Sequence, residues 1–184
     1  MPRNIEIKAR VVDPAALRQR ALALATAPEQ QLEQDDSFFV LPAGRGRLKL
    51  RQFADGSAEL IHYQRADEAG AKASDYVRVP LVDGSACREA LARGLGLLGR
   101  VKKRRSVVMV GRTRVHVDAV EGLGDFMELE VVLREGEPDA AGQAGYTDDF
   151  RDWRAYCDAY TLDNCTVDAE VGLLRPNRYE RPAT

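Results

Sequence analysis

The sequence predicts an α+β domain centred on a largely antiparallel sheet of about eight strands. Three observations predict it. The segments run strand, helix, four strands, helix, three strands, helix. The strand-like segments are short and bounded by turn residues. Five of them alternate apolar with charged residues at period two, which gives each one charged face.

Residues 3–12 open as a strand, with Ile5, Ile7 and Ala9 on one face and Asn4, Glu6, Lys8 and Arg10 on the other. Asp13-Pro14 is a helix start: the carboxylate caps free amides and proline suits the first helical position. The Ala/Leu-rich helix runs to about residue 26 and Pro28 closes it. Strands follow at 31–40, 47–53, 58–65 and 75–81, separated by turn-rich pieces such as LPAGRG and FADGS. Asp83 opens a second helix to about residue 98, with Ala86, Ala90, Leu91, Leu95 and Leu98 at helical spacing. Strands resume at 101–110, 112–120 and 126–134. After the loop EGEPDAAGQAG, Thr147 caps a third helix with Phe150, Trp153, Tyr156, Cys157 and Tyr160 in one apolar stripe, read as core packing. The reading is one domain over 1–165, with 166–184 a tail.

Composition excludes several function classes. With 45% hydrophobic and 30% charged residues and a net charge of −2, the 184-residue chain has no global basic footprint, so nucleic acid is not an expected partner. No window approaches a membrane span and the N-terminus has no signal-like apolar run, so a cytoplasmic, membrane-free protein is expected. Cys87, Cys157 and Cys165 are odd in number and lack CxxC spacing, as reduced thiols do. GLGLLG, residues 94–99, fits the dinucleotide pattern GxGxxG, but a helix precedes it and a strand follows. That order is the reverse of what phosphate binding requires, so it reads as a helix end and turn.

Local charge is uneven. Residues 102–114 hold six bases and no acid, whereas 118–139 hold eight acids against Arg134 alone. RLKLR sets Arg47, Lys49 and Arg51 opposite Leu48 and Leu50. VKKRR groups Lys103 and Arg105 with Val101. RTRVHVD groups Arg112, Arg114, His116 and Asp118, and FMELE groups Phe126, Glu128 and Glu130. A solvated outer face accounts for any one such strand. Five together fit a barrel closed with its charged face inward and its apolar face covered by helices, around a polar ligand or ions that offset the buried charge. Clustered Arg and Lys bind polyanions, while carboxylates beside them hold a hard divalent cation shared with phosphate oxygens. The combination points to a metal-triphosphate.

These residues resemble the CYTH superfamily of triphosphate tunnel enzymes, which includes class IV adenylyl cyclases, thiamine triphosphatases and inorganic or RNA triphosphatases. The matching motifs are the ExExK position Asn4–Lys8, then RLKLR, AELIHYQRAD, SDYVRV, VKKRR and RTRVHVDAVEGLGDFMELE, in family order from residue 4 to about 132. The phrasing is most similar to the class IV cyclase-like branch. The resemblance implies an eight-stranded, largely antiparallel β-barrel tunnel with flanking helices and Mg²⁺ or Mn²⁺ as cofactor. It implies Glu6, Asp118, Glu128 and Glu130 as metal ligands, and Lys8, Arg47, Lys49, Arg51, Arg65, Arg78, Lys103, Arg105 and Arg114 as substrate contacts. Lys8, Arg114 and His116 are the catalytic candidates: His116 shares a face with Arg114 and Asp118, and a lysine among cations loses basicity and can accept a proton. His62, on the opposite face from Tyr63 and Arg65, is a weaker candidate. Asn4 departs from the motif's first glutamate and brings an amide oxygen without charge.

The expected activity is conversion of ATP to cyclic AMP and pyrophosphate. The alternatives are a triphosphatase acting on thiamine, inorganic or nucleoside triphosphate, and a non-catalytic polyphosphate sensor. A homodimer is left open.

Overall fold

The computed structural model describes residues 3–65 and 72–142. Eight strands form the sheet: β1 (Arg3–Arg10), β2 (Gln30–Phe39), β3 (Arg47–Phe53), β4 (Ala58–Arg65), β5 (Lys72–Leu81), β6 (Leu97–Val110), β7 (Thr113–Val120) and β8 (Gly124–Val132). They close into a barrel in the order β1-β5-β4-β3-β2-β6-β7-β8, and every pairing, including that of β8 with β1, is antiparallel. The third helix and the boundary at 165 expected from the sequence lie outside the described residues.

Helix α1 (Pro14–Ala23) starts where Asp13 Oδ1 accepts from the Ala16 amide at 2.9 Å. Its Leu17 and Ala21 are fully buried against the outward apolar residues Ala9, Val108, Val110, Val115, Val117, Met127 and Leu129. The larger apolar core therefore lies outside the barrel, between α1 and β1, β6, β7 and β8. Helix α2 (Gly84–Leu95) is capped the same way, Asp83 Oδ1 accepting from Ala86 at 2.9 Å. It ends three residues before the position expected. Gly96 adopts φ +85°, and the chain turns directly into β6 at Leu97, within the GLGLLG stretch. GLGLLG is thus a helix end running into a strand, as its flanking pattern implies.

Period-two alternation turns the polar residues inward. A second apolar cluster, Phe38, Val101, Val120 and Phe126 with Leu123 packed on it, fills the barrel interior where β2 and β7 end and β6 and β8 begin. Beyond it the interior is charged, and no helix among the described residues is long and apolar enough to cross a membrane.

Candidate functional site

The barrel encloses a cavity of about 460 Å³ lined from all eight strands. Asn4, Glu6, Lys49, Arg51, Arg65, Arg78, Lys103, Arg105, Arg114, His116, Glu128 and Glu130 all face it. Leu32, Phe53, Ile61, Val107 and Met109 add apolar wall. Register brings these groups together. Glu6 pairs across β1 and β8 with Glu130, and Lys8 with Glu128; across β7 and β8, Arg114 pairs with Glu130 and His116 with Glu128.

The acids divide into two kinds. Asp118 is fully buried and taken on both oxygens by Arg105, whose Nε and Nη2 donate at 2.6 Å each, with Lys103 Nζ 3.7 Å away. Asp36 does the same on β2, the next strand but one. Arg51 Nε and Nη2 donate to it at 2.7 and 2.6 Å, and Lys49 Nζ lies 3.2 Å away. Burial pushes both carboxyls up, but the adjacent cations prevail and hold each far below the ordinary aspartate range. Each therefore fixes a guanidinium plane inside the cavity.

Glu128 and Glu130 are more open to the cavity. Lys8 Nζ stands 3.6 Å from Glu128 Oε2, Arg105 Nη2 donates to that oxygen at 3.3 Å, and His116 Nδ1 lies 3.0 Å from Oε1. Burial raises the Glu128 pKa, yet Arg105 and His116 outweigh it and keep the group ionised. Glu130 receives Arg114 Nη1 at 3.2 Å on Oε2 and Asn4 Nδ2 at 2.5 Å on Oε1. Glu6 forms an ion pair with Arg65. His116, Glu128 and Glu130 offer ligand atoms all within 4.8 Å of one another.

The cavity is rich in cations whose charge is costly. Burial, and then Arg105, pull the Lys103 pKa down to about 7, against the opposing pull of Asp118. Arg105 is also buried, but Asp118 and Glu128 raise it well above its ordinary value.

Of the sequence candidates, Arg47 lies over the Tyr63 ring, 5.9 Å from its centroid, outside the cavity-lining set. Arg78 lines the cavity but is half-exposed, 3.9 Å from Glu59. Arg112 precedes β7 and donates to Glu137 at 2.8 and 2.7 Å, away from the cavity. His62 points outward, its Nε2 2.8 Å from the Arg45 carbonyl. The sequence did not single out Asp36, Gln34, Tyr63 or Tyr76, which also take part in the interior. Tyr63 packs under Arg47, Lys49 and Arg65, with the latter two 5.4 and 5.7 Å from its ring centroid.

A CYTH domain model matches residues 2–144, which takes in every strand of this barrel. The chain belongs to the CYTH domain family. No curated protein matches the chain. Solved structures share the CYTH barrel at low identity. A Pyrococcus horikoshii protein aligns with TM-score 0.67 and 22% identity, covering 96% of each chain. A Vibrio parahaemolyticus protein proposed to be an adenylate cyclase aligns with TM-score 0.59 and 19% identity, over 86% of this chain and 88% of that one. A Hippeastrum protein, proposed to be an adenylyl cyclase and showing a dominant triphosphatase activity, aligns with TM-score 0.55 and 18% identity, over 83% and 96%. At these identities the likeness is one of fold.

Proposed function

We propose that this CYTH domain is a divalent-cation-dependent enzyme that acts on a triphosphate inside the barrel, with Mg²⁺ or Mn²⁺ as cofactor. One observation carries the reading: a single cavity holds the His116, Glu128, Glu130 cluster beside Lys49, Arg51, Lys103, Arg105 and Arg114. Glu6 and Glu130 stand opposite each other across two strands, where Arg65 and Arg114 pair with them, and a cation at the cluster would add to that neutralisation. The donor set fits such an ion: two carboxylates and an imidazole converge, and the buried Asn4 Oδ1 on the same cavity has no hydrogen-bond partner among the described residues. When bound there, a divalent cation neutralises charge on phosphate oxygens.

The chain's own groups do the positioning. Arg105 and Arg51, clamped by Asp118 and Asp36, present fixed cations to the phosphates, so little reorganisation is needed as charge moves to the leaving group. Leu32, Phe53, Ile61, Val107 and Met109 offer an apolar surface for the organic head of a triphosphate ester. With ATP, the ribose 3′-oxygen bonds to the α-phosphorus and the α–β bridging bond breaks. Pyrophosphate leaves with the electron pair, and the hydroxyl proton passes to water.

Cyclisation is the leading reading because the motif phrasing is most similar to the cyclase-like branch. Hydrolysis is the second, favoured by the triphosphatase activity of the Hippeastrum relative. The test is incubation with ATP and Mg²⁺ or Mn²⁺, with thiamine triphosphate and inorganic triphosphate in parallel and Glu128→Ala as control. Cyclic AMP with pyrophosphate, lost in the variant, supports cyclisation; phosphate without cyclic product supports hydrolysis. Binding without turnover of any of the three would leave a sensor and overturn the enzymatic reading.

A further inference from the structure

We propose that His116 is a nitrogen ligand of the cation site, and that the site therefore selects a first-row transition ion of the Mn²⁺ class over Mg²⁺. The inference rests on the reading of Glu128 and Glu130 as cation-holding groups and adds the identity of the ion.

His116 and Glu128 stand directly opposite on β7 and β8, with Glu130 two residues further along the same face. The imidazole lies between the carboxylates: Nδ1 is 3.0 Å from Glu128 Oε1 and Nε2 is 3.7 Å from Glu130 Oε2. Each of the three residues offers a ligand atom within 4.8 Å of the others. An independent sign comes from β1. Asn4 is only 5% exposed, and its Nδ2 is committed to Glu130 Oε1 at 2.5 Å. Its Oδ1 has no hydrogen-bond partner among the described residues, and Asn4 lines the same cavity. A cation bound in the cavity supplies the partner that this oxygen lacks.

The donor set is thus one imidazole nitrogen, two carboxylates and one neutral amide oxygen. Asp118, the further acid on the same face of β7, is withheld because Arg105 holds both its oxygens. Mg²⁺ is a hard ion that favours oxygen ligands in near-ideal octahedral geometry. An imidazole shifts preference toward later divalent ions, and replacing a carboxylate by the amide of Asn4 removes charge that would favour the hard ion.

The test is a titration of the metal-free protein with Mn²⁺, read by the electron paramagnetic resonance signal of the free ion and with Mg²⁺ as competitor. Nitrogen hyperfine coupling is recorded on the Mn²⁺-bound protein. Wild type is compared with His116→Ala and Glu130→Gln, with circular dichroism reporting the fold. The expected result is coupling to one imidazole nitrogen in wild type, at least tenfold preference for Mn²⁺ over Mg²⁺, and loss of both in His116→Ala. Mn²⁺ binding that weakens in Glu130→Gln but shows no nitrogen coupling would overturn the inference while leaving the cation site standing. Absence of Mn²⁺ binding in wild type would overturn both. The coupling measurement needs no variant, so it decides the matter even if His116→Ala does not fold.

Discussion

Arg105 holds Asp118 by two parallel hydrogen bonds of 2.6 Å inside the barrel, across the β6–β7 pairing that sets the two residues opposite each other. The pair is buried, so removing one partner leaves an uncompensated charge. Asp118→Asn is expected to cost about 3–5 kcal/mol in urea denaturation. It also frees the guanidinium plane, and triphosphate affinity is expected to fall about tenfold, equivalent to about 1.4 kcal/mol. Affinity for Mn²⁺ alone should hold, because Asp118 belongs to Arg105 rather than to the cation cluster. A parallel fall in Mn²⁺ affinity by isothermal titration would make Asp118 a ligand after all.

Lys103 gives a pH signature. Its pKa in the fold, about 7, lies below its ordinary 10.5, so between those values the unfolded chain binds the extra proton. Its contribution to stability is therefore complete above 10.5 and declines as pH falls toward 7, so stability should rise with pH across that window. Urea midpoints from pH 7 to 10 check the sign, and Lys103→Met should flatten the slope.

The same group links protons to ligand. A triphosphate beside Lys103 favours the ammonium form, so binding at pH 8 is expected to take up as much as about one proton per site. Calorimetry in two buffers of different ionisation enthalpy measures the uptake. Equal enthalpies in both buffers would remove Lys103 from the phosphate contacts.

Arg51 and Asp36 give a second pH signature of the same sign, at the acid end. Asp36 is held far below the ordinary aspartate value despite its burial, by Arg51 and Lys49, so the stability it brings is present above the ordinary value and lost as pH falls. Arg51→Met should therefore destabilise strongly at pH 7 and much less near pH 1, well below the ordinary aspartate value, where most of that contribution is gone. Chemical denaturation at the two pH values tests it, and equal losses would mean that packing rather than charge dominates.

The strand faces were legible because period-two alternation needs no tertiary information: Glu6, Lys8, Lys49, Arg51, Lys103, Arg105, Glu128 and Glu130 follow from it. The closure order and the register were not. Asp36 sits in the run Gln34-Asp35-Asp36-Ser37, where polar residues occupy both parities, and only its pairing with Arg51 across β2 and β3 turns it inward. Asp118 was legible as an inward acid but not as the property of Arg105, since that assignment depends on which cation stands across the next strand. The apolar spacing carries α2 on to Leu98, three residues past its end, whereas Gly96 stops the helix through its backbone conformation.

Gly46, at the entry to β3, exposes this register to a single change. It has φ +72°, and a Cβ there would stand 2.5 Å from the Tyr63 carbonyl oxygen, a backbone atom of the neighbouring strand. Gly46→Ala therefore carries the left-handed penalty of about 1–2 kcal/mol and also pushes β4 away. The displaced carbonyl belongs to the residue paired with Arg47, at the end of β3 from which Lys49 and Arg51 project inward. The expected outcome is a lower urea midpoint together with weakened triphosphate binding, while Mn²⁺ binding on β7 and β8 is unchanged. Split responses of that kind require that β3 and β4 place the phosphate-facing bases independently of the acid cluster. A uniform loss of both ligands would mean instead that the barrel opens as a whole when this turn is strained.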